Sequence, residues 1–367
     1  MNSKATRIVF CISPHGYGHA AQTSSVINRL LELTPDLEVY VKTTLPESFI
    51  KERFNKKIHH IPQLIDFGMI MKSSIDILAK ESWLKYKDIH DQWEKLVEKE
   101  SQDLIELQPQ LIVSNVAYLC LEAAKRLNIP SLAMGSLNWA DIFAHYCSDY
   151  PDADSITAQI QSAYNHADTF IQLFPCLPML WLNNKRSISP VTQLGKNMRT
   201  QINQQFNLPQ TKQLVLIGMG GISMRLPIES WPKRSNTLWV IPDEWGNQRQ
   251  DCIALSQLGL PFIDILASVD ALITKPGYGT FSEAVCNGIP FLFVPRGDWP
   301  EEPYLENWAK KHGIAESISR ESLYKGTFYS SLTYLLSKDK NLITPPKANG
   351  ANEAAQIILS LLNQQCG

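Results

Sequence analysis

The stretch LITKPGYGTFSEAVCNGIPFLFVP, residues 272–295, reads as a short apolar strand, a glycine turn, a helix and a second apolar strand. Gly277, Tyr278, Gly279 and Thr280 form the turn, and Glu283 lies one helical turn further on. Glycines at a helix start let backbone N–H groups approach a phosphate pair. Thr280 adds a hydroxyl donor, Lys275 can offset phosphate charge, and the Glu283 carboxylate can accept from two ribose hydroxyls. The same residues also suit a plain strand–turn–helix corner with Glu283 on the surface, and this stretch alone does not separate the two readings.

Working outward, the pattern occurs twice. RIVFCIS (7–13) is an apolar strand that runs into the turn PHGYGH, and AAQTSSVINRLLEL (20–33) places Ala20, Ile27, Leu30 and Leu31 on one helical face. LEVYVKT (37–43), LIVSN (111–115) and IPSLAMG (129–135) follow as strands, with amphipathic helices expected over 76–107 and up to Lys125. The polar stretch 183–201 lacks periodicity and is the best linker candidate. LVLIGMGG (214–221) restarts the pattern, and TLWVIP (237–242), ALITKPGYG (271–279) and IPFLFVP (289–295) are further strands. Alternation of this kind predicts an α/β fold with parallel sheets covered by helices. Two such halves imply twin Rossmann-like, doubly wound domains facing across a cleft, with ligands at the carboxyl ends of the strands. The expected bounds are 1–185 and 186–345, with a final helix in 346–367 returning towards the first domain.

The first turn, with Gly16, Gly18 and Ala21, approximates a dinucleotide fingerprint. A nicotinamide site also needs an acid at the end of the second strand, and here that strand ends Val41-Lys42-Thr43. What this turn has instead is two histidines, His15 and His19.

The matching stretches HGYGHA (15–20), YGTFSEA (278–284), PFLFVPR (290–296), EEPYLEN (301–307) and NGANEAAQI (349–357) run through nearly the whole chain. In them the sequence resembles the GT-B glycosyltransferases, most closely the glycosyltransferase-like N-terminal half of plant L-arabinokinases. More distantly it is similar to the peptidoglycan-precursor N-acetylglucosaminyltransferase and the plant UDP-glucosyltransferases. No glycine/serine-rich ATP loop of the sugar-kinase class occurs, so the resemblance does not imply sugar phosphorylation. It implies a C-terminal half that binds a nucleoside-diphosphate sugar as co-substrate, UDP- or dTDP-linked, and an N-terminal half that binds a small-molecule, lipid-linked or glycan acceptor. Gly220 and Gly221 would approach the diphosphate, beside Gly277, Gly279 and Thr280. Phe262 and Ile263 would meet the base, Glu283 the ribose, and Glu301 and Glu302 the sugar hydroxyls. His19 matches the base that deprotonates the acceptor in metal-independent, inverting transfer, a task suited to imidazole near neutral pH. His15 competes for that role, and both can also be plain turn residues. The plant enzymes orient this histidine with an aspartate, where LIVSN ends in Asn115. An amide stabilises an imidazolium less than a carboxylate does, so Asp141 is a candidate supporting acid.

Composition sets the outer limits. The 367 residues carry a net charge of −2 and no basic block, so neither nucleic acid nor an anionic membrane is expected as partner. No apolar run approaches the roughly 18 residues of a membrane span, and the start MNSKATRIVF has no signal-peptide core. Seven scattered cysteines without a CxxC fit free thiols in the cytoplasm, and no metal site is expected. Asp152-Ala153-Asp154 reads as a helix cap rather than a metal-binding DxD. Two other functions stay open on these residues: a nucleotide-sugar 2-epimerase on the same fold, and a non-catalytic nucleotide-sugar-binding protein.

Overall fold

The computed structural model describes residues 6–54, 58–72, 76–220, 225–246, 249–339 and 343–364. They form two compact units, Met1–Val191 with Asn349–Gly367, and Thr192–Ala348.

The first unit is built on strands β1 (Arg7–Ile12), β2 (Glu38–Lys42), β3 (His59–Ile61), β4 (Leu111–Asn115), β5 (Ser131–Gly135), β6 (Thr169–Leu173) and β7 (Lys185–Ile188). They pair in the order β3-β2-β1-β4-β5-β6-β7, all parallel. Strands β4 and β5 are buried along their whole length, as expected of a sheet covered on both faces. The strand order reverses between β1 and β4, whose ends lie level, Ile12 opposite Asn115. A ligand crevice belongs at such a reversal.

The second unit repeats the plan with β8 (Gln213–Gly218), β9 (Thr237–Ile241), β10 (Cys252–Ala254), β11 (Ala271–Thr274), β12 (Phe291–Phe293) and β13 (Ala315–Ser317). Their order is β10-β9-β8-β11-β12-β13, again all parallel. The reversal falls between β8 and β11, with Gly218 opposite Thr274. Trp231, Trp239 and Phe328 meet edge to face in its core.

Three observations correct or extend the sequence reading. The expected linker 183–201 contains β7, an edge strand of sequence KRSI in which only Ile188 is buried, so no apolar pattern announces it. At the end of β2, where a dinucleotide site needs an acid, the buried Lys42 ammonium lies 2.7 Å from Glu100. The final helix, Gly350–Asn363, packs along the first helix, Gly18–Leu33, where Arg29 Nε donates to Asn352 Oδ1 at 2.9 Å. Its Glu353 carboxylate accepts from the backbone and hydroxyl of Ser189 at 2.8 and 2.7 Å. Among the described residues, no helix is long and apolar enough to cross a membrane.

Candidate active site

At the first reversal, the chain leaves β1 through Ser13 and enters the first helix at Gly18. The turn between them uses Gly16 at φ +70°, a conformation that favours glycine. His19 is 7% exposed, and its Nδ1 lies 3.0 Å from Asn115 Oδ1 at the end of β4. The amide orientation follows from its other side. Asn115 Nδ2 donates to the His19 carbonyl at 3.1 Å, to Gln22 Oε1 at 3.1 Å and to Thr23 Oγ1 at 2.9 Å. A backbone carbonyl can only accept, so the nitrogen faces it and the oxygen faces the ring. His19 is thereby protonated at Nδ1 and bare at Nε2, and Nε2 has no protein partner among the described residues. Burial, only partly opposed by the Asn115 bond, lowers the ring to about 4, which keeps it neutral at pH 7.

His15 is half-buried and is held differently. Met69 N donates to its Nδ1 at 3.4 Å, and the ring lies so close to Gly68 that a Cβ there would come within 2.6 Å of it. Both imidazoles pack edge-on against Trp139, with centroids at 5.1 Å for His15 and 5.8 Å for His19. The Trp139 indole donates to Asp66 Oδ2 at 2.9 Å, and Ser13 Oγ donates to Asp66 Oδ1 at 2.6 Å. Asp66 and Trp139 are thus part of this site. Sequence reasoning missed Asp66, which sits in an irregular segment with no periodicity.

Asp141, the acid expected to support His19, is occupied elsewhere. Its backbone N–H is capped by Asn138 at 2.8 Å, and its carboxylate accepts from Asn138 Nδ2 at 2.8 Å and from Trp181 Nε1 at 2.7 Å. No bond joins it to either histidine among the described residues. It fixes the start of the helix Trp139–Cys147. Asp152 stands at the N-cap of the helix Ala153–Asn165, yet its carboxylate pairs with Lys87 at 3.2 Å and makes no cap bond.

At the second reversal, Thr274 Oγ1 donates to the Gly218 carbonyl at 2.6 Å and ties the ends of β8 and β11 together. Gly220, at φ +78°, passes so close to Lys275 that a Cβ would lie 3.3 Å from its Cε. Gly221 lies outside the described residues. The helix Tyr278–Cys286 starts at the turn, and its spacing puts Gly279 and Glu283 on one face. Tyr278, the first residue of that helix, is buried at 6% exposure. Lys275 is half-buried, and its ammonium has no hydrogen bond or ion pair among the described residues. Burial and the nearby Arg296 charge lower it to about 7.

Gly277 and Gly279 differ from Gly220 at the same reversal. Neither has a positive φ, and a Cβ at either would meet nothing within 4 Å. The fold itself does not require glycine there.

Glu301 and Glu302 are both buried at 4% exposure. Glu302 accepts the Arg296 N–H with both oxygens, at 2.9 and 3.0 Å, and its carboxyl is raised to about 7 by burial. Glu301 Oε2 accepts from Trp299 Nε1 at 3.2 Å. Both therefore fold the loop 296–301 back on its helix. Ile263 has its carbonyl bonded to Ala267 N at 2.9 Å and covered by Gly195, where a Cβ would lie 2.1 Å from it. The Phe262 ring lies beside Gly218 at the end of β8.

With this geometry in place, the relatives can be compared. No protein-family model matches the sequence. The L-arabinokinase of Arabidopsis thaliana is 26% identical over 340 residues, which cover 89% of this chain and 32% of the kinase. The chain thus spans about a third of that relative's length. The UDP-N-acetylglucosamine–N-acetylmuramyl-(pentapeptide) pyrophosphoryl-undecaprenol N-acetylglucosamine transferase of Oenococcus oeni is 23% identical, with 89% of this chain and 94% of the transferase covered. Arabidopsis thaliana UGT89C1, solved in complex with UDP, superposes with a TM-score of 0.63 at 14% identity, covering 98% of this chain and all of the other. The chain has the GT-B glycosyltransferase fold. In this GT-B chain, the imidazole site lies at the reversal of the first sheet and the glycine-and-lysine site at the reversal of the second.

Proposed function

We propose that this chain transfers a glycosyl group from a nucleoside-diphosphate sugar to a hydroxyl acceptor. The observation that carries the reading is the pair Gly277 and Gly279: two glycines that the fold does not need, at a helix start, just after Lys275, whose ammonium has no counter-ion among the described residues. A diphosphate explains both, because it must approach the backbone closely and brings the missing negative charge. Glu283, on the face of Gly279, holds the ribose. A UDP- or dTDP-sugar is the donor, a reading supported by the UDP bound to the solved relative.

In the first unit, His19 takes the proton of the acceptor hydroxyl at Nε2 as that oxygen attacks the anomeric carbon. A single displacement of this kind inverts the anomeric centre. The Nδ1–H of His19 stays on Asn115, which fixes the ring while its charge grows. Negative charge developing on the departing diphosphate is met by Lys275, the Thr280 hydroxyl and turn N–H groups, without a metal ion in the proposed step.

A thermal-shift screen of nucleotide sugars tests the donor half. A pyrimidine-diphosphate sugar is expected to raise the melting temperature, and Glu283→Ala to remove the rise. No response to any nucleotide sugar overturns the assignment. Incubation with donor alone then separates transfer from epimerisation, since only the latter changes the sugar without an acceptor.

A further inference from the structure

We propose that Asp66 is a positioning residue for His19: it holds Trp139 against the ring and supplies the negative charge that Asn115, an amide, cannot. This rests on the reading of His19 as the base.

Asp66 is 8% exposed, and its two oxygens are taken by Ser13 Oγ at 2.6 Å and Trp139 Nε1 at 2.9 Å. Among the described residues no cation pairs with it. The other ionisable groups that feel its charge are the buried phenols of Tyr86, Tyr118 and Tyr164, each from a different segment and each neutral at pH 7. The groups able to carry positive charge that share Trp139 with it are the imidazoles of His15 and His19. The same short segment grips the turn twice, since Gly68 and Met69 hold His15 while Asp66 holds Ser13 and Trp139. A buried carboxylate without a counter-ion is costly, and an imidazolium formed during proton abstraction supplies that counter-ion when it is needed. Its carboxyl is raised by burial to about 7, whereas His19 is lowered to about 4. Between those limits the first proton therefore sits on Asp66. Above them Asp66 is charged, and a proton arriving at Nε2 meets a partner of opposite sign.

Nitrogen-15 NMR of the histidine rings across about pH 4 to 9 reads this coupling without any turnover. It therefore succeeds or fails independently of the transfer reaction. In the wild-type protein the His19 signals are expected to move twice, once as the ring titrates and once near pH 7 as Asp66 ionises. Asp66→Asn keeps both hydrogen bonds, because the amide oxygen accepts from Trp139 and the amide nitrogen donates to Ser13. It is expected to erase the upper step alone. Trp139→Phe removes the indole donor, so the upper step should move to higher pH. This variant also carries the test should Asp66→Asn not fold. An upper step that persists in Asp66→Asn belongs to another group, His15 first, and overturns the proposal, as does its absence from the wild type. Once an acceptor is known, Asp66→Asn should flatten the rise of kcat through pH 7 and leave the donor KM unchanged.

Discussion

At the first corner a buried imidazole is fixed through one ring nitrogen by an amide that is itself fully bonded; at the second a half-buried ammonium has no partner among the described residues. Both corners join a strand to a helix at the reversal of a parallel sheet, and both groups are pushed towards their neutral forms by the same loss of solvation. The consequences differ. His19, lowered to about 4, is locked as a neutral base with one tautomer. Lys275, lowered to about 7, stands near the point of losing its charge and regains it when an anion arrives. On the proposed reading, one fold makes a proton acceptor in one unit, where an amide network fixes the ring, and an anion receptor in the other, where no counter-ion stands among the described residues.

The strongest way to break this contrast is to remove the base. His19→Ala is expected to lower transfer by roughly 10²–10⁴-fold, the usual contribution of a general base, while the thermal shift given by the donor stays intact. Loss of both transfer and donor binding would mean that the two corners are not separate in function. His15→Ala, by contrast, should leave a measurable rate.

Lys275 gives a smaller effect that sharpens the comparison. Its ammonium is half-neutral in the free protein at pH 7 and fully charged beside a diphosphate, so binding takes up a proton above about pH 7. Affinity for UDP should therefore fall as pH rises, by up to about tenfold per unit, and be independent of this group well below pH 7. Calorimetry at pH 8 in buffers of different ionisation enthalpy measures the proton directly. Lys275→Met should abolish the uptake, and uptake surviving in that variant would assign it to Glu302 or another group.

Much of this was legible in the residues themselves. The central strands are short runs of Val, Ile and Leu between glycine turns, so β1, β4, β8, β11 and β12 stand out; the pairing of His19 with Asn115 is what the resemblance implies, and it is met because His19 opens the helix after β1 while Asn115 ends the neighbouring β4. What stayed hidden has physical causes. β7 and β13 are edge strands with exposed side chains, and periodicity has nothing to register there. Asp66 reaches the site from an irregular segment, and only the fold brings it to Ser13, 53 positions away in sequence. Glu301 and Glu302 fall at the position of the family's acid or amide pair, but their burial and their bonds to the loop at Arg296 and Trp299 are tertiary facts.

The finest test of the comparison uses a single methyl group. Gly279 lies inside the helix Tyr278–Cys286 with ordinary backbone angles and open space where a Cβ would go. Replacing a helical glycine with alanine normally adds about 0.5–1 kcal/mol of stability, because the unfolded chain loses freedom and the helix gains a better former. Gly279→Ala should therefore melt slightly higher than the wild type while its response to a nucleotide sugar is lost, as the methyl occupies the space a phosphate needs. Gly18, the first residue of the first helix, is equally open, but on the proposed reading its corner handles a proton rather than a diphosphate. Gly18→Ala should leave the nucleotide-sugar response unchanged. If Gly279→Ala binds the donor normally, the open glycine there has no ligand to accommodate, and the diphosphate must be sought away from this turn.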